Sequence, residues 1–194
     1  RNTWPSIKPE ETIKRMTRFL STLSNICVEE GIISEPFSSE RLTETSKEYF
    51  SFVWKLYYEM QMPMLLGYKK VYGDLESFHI HGICLVNHAL HSKKNDNSEM
   101  NKEFYLEKYF FAEQKDEVGV NAMSISDITG IPRATVIRKL NRLLKEKFLK
   151  IDSKKHYSTT GVNQKKILNV QKKTLDNLSN FVTRIYNLSL IKDN

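Results

Sequence analysis

Cysteine is almost missing from this sequence, with only Cys27 and Cys84 in 194 residues. Two distant thiols make no disulfide framework and no paired metal-ligand spacing, so reduced cysteines in a cytoplasm are the simplest expectation. Glycine is scarce too, at seven residues, and no phosphate loop, HExxH or GxSxG motif occurs. No nucleophile–base pairing stands out, so neither an enzyme nor a cofactor is expected. No apolar run approaches the roughly 18 residues of a membrane span, and no signal-peptide pattern is present. A soluble chain without a membrane partner is expected. The first residue is Arg1, so an earlier native start is expected.

What is present argues for a folded protein: 40% hydrophobic and 11% aromatic residues are too many for a disordered chain. The net charge of +7 is unevenly spread. From Asn121 onward there are 15 Lys+Arg against 5 Asp+Glu, a net +10; the residues before it carry 15 against 18, a net −3. A basic segment of this kind attracts and steers phosphates.

The basic segment contains the most informative pattern, SISDITGIPRATVIRKLNRLLKEKFL from Ser124 to Leu149. Ser126 is expected to cap a short helix that stops at Gly130. Gly130-Ile131-Pro132 makes a turn, with Pro132 near the first position of a new helix, where its missing N–H costs nothing. Val136, Leu140, Leu143 and Leu144 recur at helical spacing as one apolar stripe. Arg133, Arg138, Lys139, Arg142 and Lys145 fall away from it. Phe148 to Ile151 alternates like a strand, Asp152-Ser153-Lys154-Lys155 is a polar turn, and His156 to Thr159 reads as a returning strand.

Helix, turn, basic helix and lysine-tipped hairpin follow in the order of a winged helix-turn-helix. On G-I-P-R-A-T-V-I-R-K-L-N-R-L and Tyr157-Ser158-Thr159-Thr160-Gly161, the segment 121–162 resembles the MarR-like winged-helix transcriptional regulators. That family usually carries a glycine before the first wing strand, where this chain has Lys147, and an Asp-x-Arg at the wing, where it has Asp152-Ser153-Lys154. The resemblance implies a sequence-specific regulator of double-stranded DNA, dimeric through its terminal helices and open to a small-molecule effector. A recognition helix over 132–147 would enter the major groove, and a basic wing over 152–158 would meet the backbone. Arg133, Thr135 and Arg138 would lie nearest base edges, and Lys139, Arg142 and Lys145 near phosphate. The full candidate DNA-binding set is Ser124, Ser126, Pro132, Arg133, Ala134, Thr135, Arg138, Lys139, Arg142, Lys154, Lys155 and His156. A plasmid or phage replication initiator, or a winged-helix protein-interaction module without DNA binding, are the alternatives.

The expected fold class is mainly α: a winged helix-turn-helix with one small hairpin and long flanking helices. The expected division is a helical region over 1–120, the DNA-binding core over 121–162 and a dimerising helical segment over 163–194. Pro9 to Glu30 reads as an amphipathic helix ended by Gly31. Its Ile13, Met16, Leu20, Leu23 and Cys27 form a 3-4 seam like that of a coiled coil, read here as a dimer face. Ile32 to Arg41 reads as a loop. A second helix is expected from Thr45, with Thr45-x-x-Glu48 as a capping box and Pro63 as its end or kink. Met64 to Tyr72 reads as a further short helix, and Asp74 is a cap for another from Leu75 to His91. Lys93 to Ser98 is a loop, Glu99 to Gln114 a helix or strand, and Lys115 to Gly119 a connector. Gln164 to Leu190 reads as one or two helices, with Ile167, Val170, Leu175, Leu178, Phe181, Val182, Ile185 and Leu188 as the apolar side.

His81, Cys84, His88 and His91 share one side of the Asp74-capped helix. Ten residues of helix rise about 15 Å, so all four cannot reach one ion. They are read as hydrogen-bonded histidines on a helix whose Ile80, Ile83, Val86 and Leu90 are core, and no metal is expected. Tyr68-Lys69-Lys70-Val71-Tyr72 reads as tyrosines half-buried beside solvated lysines rather than a base-stacking platform. Trp54, Tyr57, Tyr58, Phe78 and Phe104 are read as core packing ahead of an effector pocket.

Overall fold

The structure is a computed structural model that describes residues 9–94 and 119–191. It is mainly helical with one two-stranded antiparallel hairpin. The order is α1 (Pro9–Glu29), α2 (Ser39–Glu48), α3 (Phe50–Tyr72), α4 (Leu75–Lys94), α5 (Ala122–Thr129), α6 (Arg133–Lys145), β1 (Leu149–Ile151), β2 (Tyr157–Thr159) and α7 (Gln164–Leu190). No described helix is long and apolar enough to cross a membrane. The expectations for residues 95–118 lie outside the described residues.

The chain divides into two compact units, Arg1–Met64 with Gln171–Asn194, and Leu65–Val170. These are not the segments 1–120, 121–162 and 163–194 drawn from the sequence. The later part of α7 shares a core with the N-terminal helices, and α4 packs against α5, α6 and β2.

In the first unit α1 buries Ile13, Met16, Leu20 and Cys27. Met16, Leu20 and Cys27 share a core with Leu42 of α2, Val53 and Leu56 of α3, and Phe181, Val182 and Ile185 of α7. This corrects the dimer-face reading of the seam. A narrow apolar stripe is satisfied by any complementary surface, and here the chain's own helices supply it. Gly31 ends α1 in the left-handed region, φ +67°. Its N–H donates to the Val28 carbonyl at 2.9 Å and that of Ile32 to the Cys27 carbonyl at 2.8 Å, a Schellman ending.

The second helix starts earlier than Thr45. Ser38 caps α2, its side chain accepting from the Arg41 N–H. Thr45 lies buried inside α2, donating its hydroxyl to the Arg41 carbonyl at 2.9 Å. The helix breaks at Tyr49 and α3 restarts at Phe50. Pro63 does not end α3, which runs on to Tyr72. Pro63 and Glu59 are both exposed, so water can satisfy the carbonyl that the missing N–H leaves free. Of the apolar side expected for α7, Ile167, Phe181, Val182, Ile185 and Leu188 are buried, whereas Leu175 is 56% exposed.

In the second unit α4 turns an unexpected face inward. Ser77, Ile80, His81, Cys84 and His88 are buried, while Val86 and Leu90 are 55% and 59% exposed. Val86 and Leu90 are thus not core. The polar face goes inside with one ring nitrogen of each histidine partnered there, while Nε2 of both is buried without a hydrogen bond. The Tyr72 hydroxyl joins His81 Nδ1 at 2.9 Å, and the Thr159 hydroxyl joins His88 Nδ1 at 3.1 Å. Burial pushes the His81 imidazolium down to about 4, against a Phe148 backbone hydrogen bond that favours it. Burial, then the Lys150 charge, lowers His88 as well. Burial raises the Cys84 thiol to about 12. Among the described residues no group of three or more His, Cys, Asp or Glu could hold a metal ion. Tyr68 and Tyr72 are buried rather than half-buried. Tyr68 stacks on Phe78 at 4.2 Å, and Tyr72 meets Phe148 at 4.9 Å between ring centroids.

Candidate nucleic-acid interface

Helix α5 begins one turn before Ser126. Asn121 is its cap, accepting from the Ser124 N–H at 2.9 Å. Ser126 is not the cap. Its hydroxyl donates to the Ile131 carbonyl at 2.7 Å and fastens the turn. Gly130 ends α5 at φ +69°, a conformation that costs an L side chain about 1–2 kcal/mol. Pro132 then precedes α6, which starts at Arg133.

Val136, Leu140 and Leu143 of α6 are fully buried, worth about 1.5–3 kcal/mol each. They fix the rotation of the helix. Arg133, Ala134, Ile137, Arg138, Asn141 and Lys145 are left exposed, and Thr135 is half-buried. Helix α6 ends in a Schellman motif. The Lys147 N–H donates to the Leu144 carbonyl at 3.0 Å and the Phe148 N–H to the Leu143 carbonyl at 2.9 Å. Lys147 takes φ +59° there, the conformation glycine would accept more easily.

Lys139 and Arg142 depart from expectation. Lys139 Nζ lies 2.8 Å from Asp74 and 3.1 Å from Glu76, with 13% of its side chain exposed. Arg142 Nη1 lies 2.8 Å from Asp74 and Nε 3.5 Å from Glu146. Arg142 Nη2 also donates to the Tyr72 carbonyl. Both side chains bind the α3–α4 turn and are withdrawn from the phosphate-contact set. Burial works to raise the Asp74 carboxyl. Hydrogen bonds from Lys139 and Ser77, with the Lys139 charge, outweigh it and hold Asp74 at about 2.

The hairpin pairs Leu149 with Thr159 and Ile151 with Tyr157. Val120 bridges to Tyr157 and extends it by a third segment. Asp152 organises the tip. Its side chain accepts from the backbone N–H groups of Lys154 and His156 at 2.9 and 2.8 Å, an Asx-type turn. The His156 hydrogen bond lowers the Asp152 carboxyl. His156 Nδ1 lies 3.4 Å from that carboxylate, and Lys154 and Lys155 project into solvent.

An open groove of about 560 Å³ runs between these elements, lined by Asn121, Ala122, Met123, Arg133, Ile137, Ile151, Lys154, Lys155 and Tyr157. It brings Arg133 together with the two tip lysines. Arg138 and Ala134 lie on the exposed face of α6 outside its lining. Ile137, which lines the groove, and Asn141 are further exposed residues of α6. Their helical spacing from Ala134 and Arg138, legible in the sequence, places them on the same face. The aromatics considered for an effector pocket are not one set. Trp54 meets Tyr57 at a tilt and Tyr58 edge-on along α3 in the first unit, Phe78 packs on Tyr68 in the second, and Phe104 lies outside the described residues. Comparison with known proteins yields no match: no family model, no curated protein and no solved structure is similar to this chain.

Proposed function

We propose that this chain is a sequence-specific double-stranded-DNA-binding transcriptional regulator of the winged-helix type, akin to the MarR-like proteins, and that it works in the cytoplasm. The groove between α6 and the hairpin carries this reading. Arg133 starts the helix, Lys154 and Lys155 come from the hairpin tip, and all three line one concave surface. In this reading α6 lies in the major groove with Arg133 and Arg138 toward base edges, where arginine bonds guanine bidentately. Lys154 and Lys155 meet the adjacent backbone, and Lys145 a phosphate beyond the far end of α6. One such helix reads few base pairs, so a homodimer on two half-sites about 34 Å apart completes the proposal.

Selection of bound fragments from a random duplex pool, followed by sequencing, tests it. The expected outcome is one enriched, two-fold-symmetric site. Enrichment of nothing above random would overturn the reading and favour a protein-interaction module.

A further inference from the structure

We infer that Ile137 is a specificity-determining residue that reads the C5-methyl group of a thymine, so that the preferred site holds an A·T pair opposite the middle of α6. The inference rests on the DNA-binding reading above. Ile137 is 38% exposed, while its helix neighbours Val136 and Leu140 are fully buried. It is not among the buried core residues. It sits in the groove with Arg133, Lys154 and Lys155, so a polyanion held by those cations must cover it. Met123 and Ile151 line the same groove, at 53% and 45% exposed. Apolar side chains scattered singly need no explanation, but three converging among cations do. Phosphate offers them nothing. On a major-groove floor the apolar group is the thymine methyl. A β-branched side chain on a helix is held to essentially one χ1 rotamer, so little freedom is lost on contact.

Replacing thymine with uracil removes that methyl and leaves every hydrogen-bonding group in place. The selected duplex is remade with uracil at each thymine in turn, and the intact chain is titrated with each. At one position per half-site, affinity should fall about fourfold, the value of one buried methyl. Ile137→Ala should bind the parent duplex more weakly and show no further loss with uracil at that position. Ile137→Val should keep part of the sensitivity, with both variants remaining folded by circular dichroism at the temperature of the titration. Unchanged affinity for every uracil duplex, or full sensitivity retained in Ile137→Ala, would overturn the inference while the selected site stands. Failure to select any site would remove the DNA-binding reading itself, and this inference with it.

Discussion

Asp74 reaches across 68 positions of sequence to Arg142, with Oδ2 2.8 Å from Nη1. The same oxygen lies 2.8 Å from Lys139 Nζ. Its other oxygen, Oδ1, accepts the Ser77 N–H at 2.7 Å and caps α4. One carboxylate thus starts one helix and anchors another.

Removing that charge takes from both cations their closest carboxylate and leaves Lys139 with Glu76 and Arg142 with Glu146. Asp74→Asn should lower stability by about 1–3 kcal/mol, since Lys139 is nearly buried and keeps only the more distant Glu76 carboxylate. Urea unfolding at pH 7 measures this, and an unmoved midpoint would make the pairing incidental. Lys139→Ala should also destabilise, yet leave the salt dependence of duplex binding as it was. A slope reduced by about one unit would return Lys139 to the phosphate.

Two left-handed positions, Gly73 in the α3–α4 turn and Lys147 just after α6, should respond in opposite directions. Gly73 has φ +77°, and a Cβ there would lie 3.2 Å from Arg142 Nη1. Gly73→Ala should cost about 1–2 kcal/mol. Lys147 has φ +59° with a side chain to carry. Lys147→Gly should stabilise by up to about 1 kcal/mol. Thermal melts of both variants decide; a destabilised Lys147→Gly would show that its side chain contributes more than its backbone costs.

Stability should weaken in mild acid. His81 has a folded-state value of about 4 against an ordinary 6.5. As pH falls through 6.5 the unfolded chain takes up a proton that the folded chain refuses until about 4. Stability is full above that window and declines across it by about 3 kcal/mol. His88 is shifted the same way and adds to the decline. Urea midpoints at several pH values between 7 and 4 should trace it, and His81→Gln should flatten the curve. A flat parent curve would mean that His81 is protonated inside the fold.

The exposed cations should separate by role. Arg133→Ala or Arg138→Ala should cost about 1–3 kcal/mol at the selected site and relax its sequence preference. Lys154→Ala with Lys155→Ala should weaken all duplexes alike and reduce the salt slope by about 2 units. Equal losses on specific and random DNA for the arginines would place them on phosphate, and an unchanged slope for the lysines would take the hairpin out of the interface.

Leu20 is 1% exposed inside the first unit, so Leu20→Asp should unfold that unit instead of splitting a dimer. A buried unpaired carboxylate and a lost leucine cost more than about 4 kcal/mol together. Circular dichroism alongside sedimentation distinguishes the two outcomes. A folded monomer from a dimeric parent would restore the seam as an interface.

The sequence by itself determined what depends on near neighbours. The start of α6 follows from Pro132 after the turn at Gly130 and its buried face from an apolar repeat, whereas its end, at Lys145 rather than the expected 147, has no glycine to mark it. The hairpin tip follows from Asp152 and its following polar residues, and the start of α4 from Asp74. Each signal acts within a few residues, so periodicity and turn chemistry reveal it. Tertiary structure decided which polar side chains are free. Arg138 and Lys139 are sequence neighbours of the same charge, yet one faces solvent and the other Asp74. Nothing local separates them, because the acid that claims Lys139 stands in the α3–α4 turn, far upstream. The inward face of α4 was hidden for the same reason. Burying His81 and His88 is tolerable only where Tyr72 and Thr159 meet them. The seam on α1 is legible as apolar, but a stripe does not carry the identity of what covers it, and the choice fell to α2, α3 and α7 of the same chain.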